Sequence, residues 1–273
     1  MLADITPVVL TRDEEANIAR TLGQLRWAPE VIVVDSFSAD GTVQIARNAP
    51  NVRVLQRHVD TLAGQSSFGI AAAKTPWVLL LDADYFLPDE FIEELRTLHP
   101  SPNVHAYTAG FRYAIGGRPL RASLYPPRIV LLHREHARVW QDGHAHRVAA
   151  DGEVAALRAR IIHDDRKSFA RFVQRQRRYM KQEAAKLRAA SWRELPLSGR
   201  LRKLRVVAPL AVVAKTLFVD GLILDGIAGL HYAFERFVAE ALLSAELLKR
   251  TSAEGLGNDG RPPAAGAEGP RPH

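Results

Sequence analysis

The chain predicts an α/β fold built on a largely parallel sheet, and three observations lead there. Residues 5–10, 31–35, 52–56 and 77–82 are short apolar runs, β-branched or leucine-rich and bounded by polar turns, as buried strands are. Amphipathic stretches separate them. The strand–helix–strand unit repeats through the first hundred residues, which calls for right-handed crossovers between parallel strands.

Each intervening stretch reads as a helix on its own terms. Residues 14–25 place Ile18, Leu22 and Leu25 on one face, and Thr11-Arg12-Asp13-Glu14 reads as a capping-box start. Residues 41–48 and 65–73 are further short helices, and Pro88 opens a helix over 88–98. After a strand at 106–113 the punctuation changes. Gly116-Gly117, Tyr125-Pro126-Pro127 and Asp142-Gly143 separate shorter strands such as 129–133, as in a mixed half-sheet. Residues 168–187 form an amphipathic helix, with Phe169, Phe172, Val173, Met180, Ala184 and Leu187 on one face and Arg171, Arg175, Arg178 and Lys181 around the rest.

This gives an α/β domain over residues 1–165, with a first half to about residue 100 and a second from 101 to 165. A basic and apolar helical region follows over 166–250, and then a Gly-, Pro- and Ala-rich tail, 251–273, expected to be disordered.

Composition narrows the function. At 273 residues, with 47% hydrophobic and 25% charged content, the chain can bury one sizeable core. Without cysteine it has no disulfide, no thiolate-ligated zinc and no thiol nucleophile. Met1-Leu2-Ala3-Asp4 runs straight into a strand-like segment with no signal-peptide pattern, so residence in the cytoplasm is the expectation. The net charge of +7 is concentrated: residues 166–205 hold 14 Lys or Arg against Glu183 and Glu194. A run like that suggests an anionic partner, and an ordinary solvated helix face is the alternative. Residues 206–248 are apolar but interrupted by Lys215, Asp220, Asp225, Glu235 and Arg236. No uncharged run there reaches the ~18–20 residues of a spanning helix, so helices lying on a membrane surface or packed on the core are expected.

Ligands of a parallel sheet bind beyond the carboxyl ends of its strands. Two such ends carry chemistry. In Val78-Leu79-Leu80-Leu81-Asp82-Ala83-Asp84 an apolar strand ends in two carboxylates separated by one small residue. Residues two apart on extended chain point the same way, so both can face one hard cation, Mg²⁺ or Mn²⁺, and through it a leaving diphosphate. A solvated turn is the plain alternative. In Val33-Val34-Asp35-Ser36-Phe37-Ser38-Ala39-Asp40-Gly41-Thr42, Asp35 ends a buried strand where it can accept hydrogen bonds from a base or ribose, whereas Asp40 can simply begin a helix. His163, in Ile161-Ile162-His163-Asp164-Asp165, ends a further strand-like run and can belong, through its neighbours, to the cap of the basic helix.

These two motifs, together with Thr11-Arg12-Asp13-Glu14-Glu15-Ala16-Asn17-Ile18, occur in an order and at separations that resemble family 2 glycosyltransferases, most closely the lipopolysaccharide-core and cell-surface-glycan branch. The similarity spans roughly residues 5–187. It implies a GT-A fold, an inverting mechanism, a nucleotide-sugar donor (a UDP-sugar), and a glycan or lipid-linked acceptor at an anionic membrane surface. Nucleic acid is not expected as a partner. By the same resemblance Thr11, Glu14 and Asp35 line the nucleotide pocket, Asp82 sits by the ribose or the metal, and Asp84 ligates the metal. It also suggests His163 as a further metal ligand, the alternative to a place in the helix cap. Tyr125-Pro126-Pro127-Arg128 and Leu131-Leu132 resemble the branch's acceptor-side segment.

The chain departs from that pattern at three places. Asp13 stands where the branch usually has Asn, and Tyr85 follows Asp84 where Glu is usual. His144-Ala145-His146 aligns with a Val-His-Glu motif, which puts His146 where a glutamate base is expected. A histidine can take the acceptor's proton at neutral pH, and Asp142 is the other nearby candidate.

Competing functions fit less well. No Gly-x-Gly-x-x-Gly follows the first strand, and there is no P-loop. A phosphatase would carry its Asp-x-Asp on the first strand. A sugar nucleotidyltransferase shares the sheet and metal but wants a basic, glycine-rich first loop, and Thr11–Glu15 is largely acidic. A basic nucleic-acid- or membrane-binding module accounts for the cationic run and leaves Asp35, Asp82 and Asp84 unexplained.

Overall fold

The computed structural model describes residues 1–58, 61–121, 126–142 and 145–255. The first half alternates as expected: β1 (Ile5–Thr11), α1 (Ile18–Gly23), β2 (Val31–Asp35), α2 (Thr42–Arg47), β3 (Val52–Gln56), α3 (Leu62–Ala72), β4 (Trp77–Asp82), β5 (Tyr85–Phe86) and α4 (Asp89–Thr97). Then come β6 (Val104–Ile115), β7 (Arg118–Pro119), β8 (Arg128–His133), the hairpin β9 (Ala137–Asp142) and β10 (Ala145–Ala150), and β11 (Glu153–His163). Helices complete the chain: α5 (Phe169–Ala189), α6 (Leu197–Lys203), α7 (Val207–Ala214), a π turn (Lys215–Val219), a 3₁₀ turn (Leu222–Asp225) and α8 (Gly226–Gly255).

Among the described residues one nine-stranded sheet runs β3-β2-β1-β4-β8-β6-β11-β5, with β7 attached to β6. β3, β2, β1 and β4 are mutually parallel; β8 runs antiparallel to both β4 and β6, and β11 is parallel to β6. The sheet is therefore parallel in its first half and mixed in its second.

Alternation along the strands splits the core into two layers. Ile5, Val9, Val31, Val33, Leu79 and Leu81 face α1, α2 and α4, where Ile18, Leu22, Phe91 and Leu95 meet them. Val8, Leu10, Ile32, Val34, Val78 and Leu80 face α3 and the β9–β10 hairpin. On that side α3 comes down so close that a Cβ at Gly69 would lie 2.4 Å from a Val8 methyl, so glycine is required there.

Three local expectations are corrected. Thr11 is not a helix cap: it is the last residue of β1, and its hydroxyl donates to Asp35 at 3.0 Å. The helix expected over 14–25 is shorter, beginning at Ile18, because residues 12–17 are spent on a loop in which Asp13 has φ 54°. Aspartate, like asparagine, tolerates that left-handed backbone, which accounts for Asp13 standing where Asn is usual. Finally, α8 continues to Gly255, into the stretch expected to be disordered; residues 256–273 lie outside the described residues.

Candidate active site

The parallel register sets Thr11 beside Asp35 and Asp35 beside Gln56, a polar row along the carboxyl edge of the sheet. Asp35 is fully buried and its carboxylate is saturated. It accepts from Thr11 Oγ1, from the backbone N–H and hydroxyl of Ser38, and from Gln56 Nε2 at 3.1 Å. The loops beyond this row are laced together: Ser38 accepts from the Asp13 N–H, Asp13 accepts from the Ala39 N–H, and Thr42 accepts from the Glu14 N–H at 2.7 Å. Phe37 is exposed despite its size, has φ 53°, and stacks on His58 with centroids 4.1 Å apart. A bulky residue with positive φ is uncommon and tends to mark a functional loop.

One strand further along, the chemistry is different. Asp82 ends β4, but Asp84 lies in the turn after it, so the turn and not strand alternation brings the two carboxylates to one cleft. The parallel pairing of His163 with Tyr113 and its antiparallel pairing with Tyr85 deliver the His163 ring to Asp84. His163 Nε2 lies 3.1 Å from Asp84 Oδ2, and the ring stacks on Tyr113. The alternative of His163 as a helix cap is excluded, since Ser168 accepts from the Arg171 N–H at the start of α5. Burial disfavours ionised Asp84, but His163 with its hydrogen bond, then Arg175 and Lys167, outweigh it and hold the carboxyl well below the usual range. Burial also disfavours the His163 cation, and Asp84 reverses that, raising its pKa.

The other oxygen, Asp84 Oδ1, is buried without a hydrogen bond. An orphaned anionic oxygen is costly unless a cation meets it. A carboxylate oxygen and the neighbouring Asp82, joined by the His163 imidazole once an ion displaces its proton, form a donor set suited to Mg²⁺ or Mn²⁺. The residues fit the group.

Glu14 is placed less directly. Its carboxylate is turned to Lys167 Nζ and to Asn17 Nδ2, and burial, then the charge of Asp84, push its pKa up to about 7. It therefore joins the first loop to the segment leading into α5.

The two candidate bases separate. His146, on β10, lines the same cleft as Asp82, Asp84 and His163. Burial lowers its pKa against the opposing pull of Asp82. Asp142 is instead bound to Lys186 Nζ and, at 3.0 Å, to Arg147 Nε, and Lys186 foremost lowers its pKa. His144, Gly143 and Tyr125 lie outside the described residues.

Sequence reading missed the roof of the cleft. The cleft, about 630 Å³, is lined on that side by α5 and α8, which contribute Arg175, Tyr179, Tyr232, Glu235 and Arg236. Arg175 pairs with Asp165 at 2.7 Å and Arg171 with Asp40 at 3.1 Å, so two of the cations read as facing an outside partner face the protein. Glu235 and Arg236 look in the sequence like mere interruptions of an apolar run. The usable signal was their helical spacing from Tyr232, which puts them on one face.

Comparison with known proteins places the chain. The family model for Glycosyl transferase family 2 matches residues 7–164. The chain belongs to that family. Its α/β sheet, parallel then mixed, is the GT-A arrangement that the motifs implied. Among curated proteins it is 36% identical over 106 residues to an uncharacterized glycosyltransferase of Rickettsia typhi, covering 38% of this chain and 36% of that one. It is 27% identical over 95 residues to the lipopolysaccharide core biosynthesis glycosyltransferase LpsC of Rhizobium meliloti, covering 33% and 35%. The matched stretch is thus little more than a third of the length of these relatives. Among solved structures, TarS of S. aureus in complex with UDP-GlcNAc aligns over 90% of this chain and 92% of that one at 15% identity, with a TM-score of 0.44.

Proposed function

We propose that this family 2 glycosyltransferase transfers a sugar, with inversion, from a nucleoside diphosphate donor to a glycan or lipid-linked acceptor in a divalent-cation-dependent reaction. The observation that carries the reading is Asp84: a buried carboxylate, held ionised by His163, with one oxygen unspent at the floor of a cleft beyond the central strands. Asp84, His163 and Asp82 would hold Mg²⁺ or Mn²⁺. When bound, the ion supplies Lewis-acid neutralisation of the departing diphosphate.

The rest belongs to the chain. The Ser36–Asp40 loop, braced from beneath by Thr11 and Asp35, receives the nucleoside, with Phe37 offering an aromatic face to the base. A UDP-sugar is the donor we favour, as the resemblance of the three motifs implies. His146, kept neutral by burial, takes the proton from the attacking hydroxyl. Helices α5 and α8 bring Arg175, Tyr232 and Glu235 to the same cleft.

The acceptor side lies against a membrane surface in this reading, with the protein peripheral on the cytoplasmic face. Leu210, Phe218, Val219 and Ile227 are between 67% and 87% exposed, bare apolar side chains along α7, the turns and the start of α8. Among the described residues no single helix is long and apolar enough to cross a membrane, although one pair of helices, bent by 74° at its break, is so jointly. Because α8 also lines the cleft through Tyr232 and Glu235, surface and site share one helix.

The test is a panel of nucleotide sugars with Mn²⁺ or Mg²⁺, reading nucleoside diphosphate released by slow hydrolysis. Metal-dependent release with one donor, lost in Asp84→Asn, is expected. Retained RNA binding at moderate salt with no nucleotide sugar bound would overturn the reading in favour of a basic binding module.

A further inference from the structure

At the opposite edge of the sheet, three side chains from separate segments converge. His105 stands near the start of β6, His136 in the turn between β8 and β9, and Asp151 in the turn between β10 and β11. One nitrogen or oxygen from each lies within 4.8 Å of the others. His136 Nδ1 is 2.7 Å from Asp151 Oδ1, and His105 Nδ1, in hydrogen-bond contact with the Asp151 backbone oxygen that an ion would have to displace, is 3.6 Å from the same Oδ1. His133 is adjacent, its ring 4.9 Å from that of His136, and its Nδ1 is buried without a hydrogen bond.

We propose that His105, His136 and Asp151 form a second metal site, for Zn²⁺ or a similar borderline transition ion, with His133 available as a fourth ligand. Ligand chemistry supports this class: two or three imidazoles with one carboxylate suit zinc far better than Mg²⁺. Ligands 2.0–2.1 Å from a tetrahedral ion sit roughly 3.3 Å from one another, and the observed separations of 2.7 and 3.6 Å bracket that value. The rings of His105 and His136 stack at 3.6 Å and must splay on binding, which needs only a turn about the soft second side-chain torsion.

The backbone is shaped to bring Asp151 in. Gly152 has φ 108°, and a Cβ there would lie 2.4 Å from His105 Nδ1 and 3.0 Å from a backbone oxygen, so only glycine lets this turn seat against His105. Two segments that flank the hairpin are joined: His136 precedes Ala137, and Asp151 follows its partner Ala150. At the other end of the same hairpin Ala145 pairs with Asp142, next to His146. The ion would clamp the open end of the hairpin that carries the proposed base. It is structural and takes no part in the transfer.

The test uses the full chain, stripped with a chelator, in an Asp84→Asn background that disables the proposed catalytic metal site. Titration with Zn²⁺ alone should show one ion bound at pH 7.5, and Co²⁺ should give visible d–d bands of a tetrahedral site. His136→Ala, at a partly exposed position, should remove the Co²⁺ bands and weaken Zn²⁺ by roughly tenfold or more. Asp151→Asn, which keeps the hydrogen bond to His136, should weaken it as well. Lowering the pH to 5.5 should release the ion, since imidazole must be neutral to bind. No Zn²⁺ bound in this background, or binding unchanged in both variants, would overturn the site. Neither outcome bears on donor binding in the wild type, so the two proposals fail separately.

Discussion

The carboxyl edge of the sheet holds two acidic positions only two strands apart, and they are finished differently. Around Asp35 every acceptor direction is already taken by Thr11, Ser38 and Gln56, all supplied by the chain. At Asp84 one oxygen meets His163 while the other is buried and unmet. A satisfied carboxylate stiffens its surroundings, whereas an unsatisfied one keeps charge in reserve for a ligand. The first therefore shapes the nucleoside loop and the second is poised for the cation.

The sharpest way to break this comparison is to remove the reserved charge. Asp84→Ala should lower turnover on the order of 10³-fold, the loss expected when a preorganised electrostatic contact to the leaving group disappears. The effect should come with loss of Mn²⁺-dependent binding of a nucleoside diphosphate, read by titration calorimetry. Equal affinity with and without Mn²⁺ in wild type and variant would show that the orphaned oxygen has another purpose.

His146 ranks next. His146→Ala should slow transfer by roughly 10²- to 10³-fold with donor affinity little changed, because a base acts on the acceptor. The sign of its pH dependence follows from its surroundings. Burial places the pKa below 6.5 despite the pull of Asp82, so neutral, active His146 persists to lower pH and the acid limb of the rate profile should fall below 6.5. An acid limb above 6.5 would contradict the assignment. Asp142→Asn should stay within a few-fold of wild type, since Lys186 and Arg147 already occupy its carboxylate. An inactive Asp142→Asn beside a normal His146→Ala would move the base to Asp142.

Asp35 should give the smaller effect that its saturation implies. Asp35→Asn keeps the shape but replaces an anionic acceptor with an amide that must turn one N–H₂ toward existing donors. Donor affinity should fall about tenfold, and the protein should lose about 1–3 kcal/mol of stability, the cost of disturbing a buried charged hydrogen-bond set. Thermal melting paired with nucleotide titration separates the two. A variant as stable as wild type would mean that the network around Asp35 is not the brace described above.

How far these features were legible depends on their range. Strands β1, β2 and β4 could be read because burial on both faces makes each a nearly continuous apolar run, and Asp35 and Asp82 could be placed because strand ends follow from those runs. The pairing of Asp84 with His163 spans 79 residues and depends on how β11 lies between β6 and β5, which local pattern does not encode. Thr11 was misread because Thr-x-x-Glu has the same spelling whether threonine caps a helix or ends a strand, and its bond to Asp35 decides. The roof was hidden for a similar reason. A basic amphipathic helix looks the same whether its cations meet lipid or meet Asp40 and Asp165.

That last ambiguity yields the subtlest prediction, a comparison of two pairs of cations along α5. Arg171 donates to Asp40 and Arg175 to Asp165, so neither is available to a phosphate headgroup without breaking an ion pair. Arg178 and Lys181 are exposed on the same helix. A basic side chain near an anionic surface contributes about 1 kcal/mol, which corresponds to roughly a fivefold change in partition. Arg178→Ser and Lys181→Ser should therefore each lower binding to phosphatidylserine-containing vesicles by about fivefold at low salt. Arg171→Ser should lower it less and should disturb the loop that holds Asp40. High salt should erase these differences while leaving the apolar contribution, which Ile227→Asp should reduce. Sedimentation with vesicles reads all of them. If Arg171→Ser weakens binding as much as Lys181→Ser, the Arg171–Asp40 ion pair does not withhold that cation from lipid in solution. If no variant changes recovery, the exposed apolar stretch meets something other than lipid.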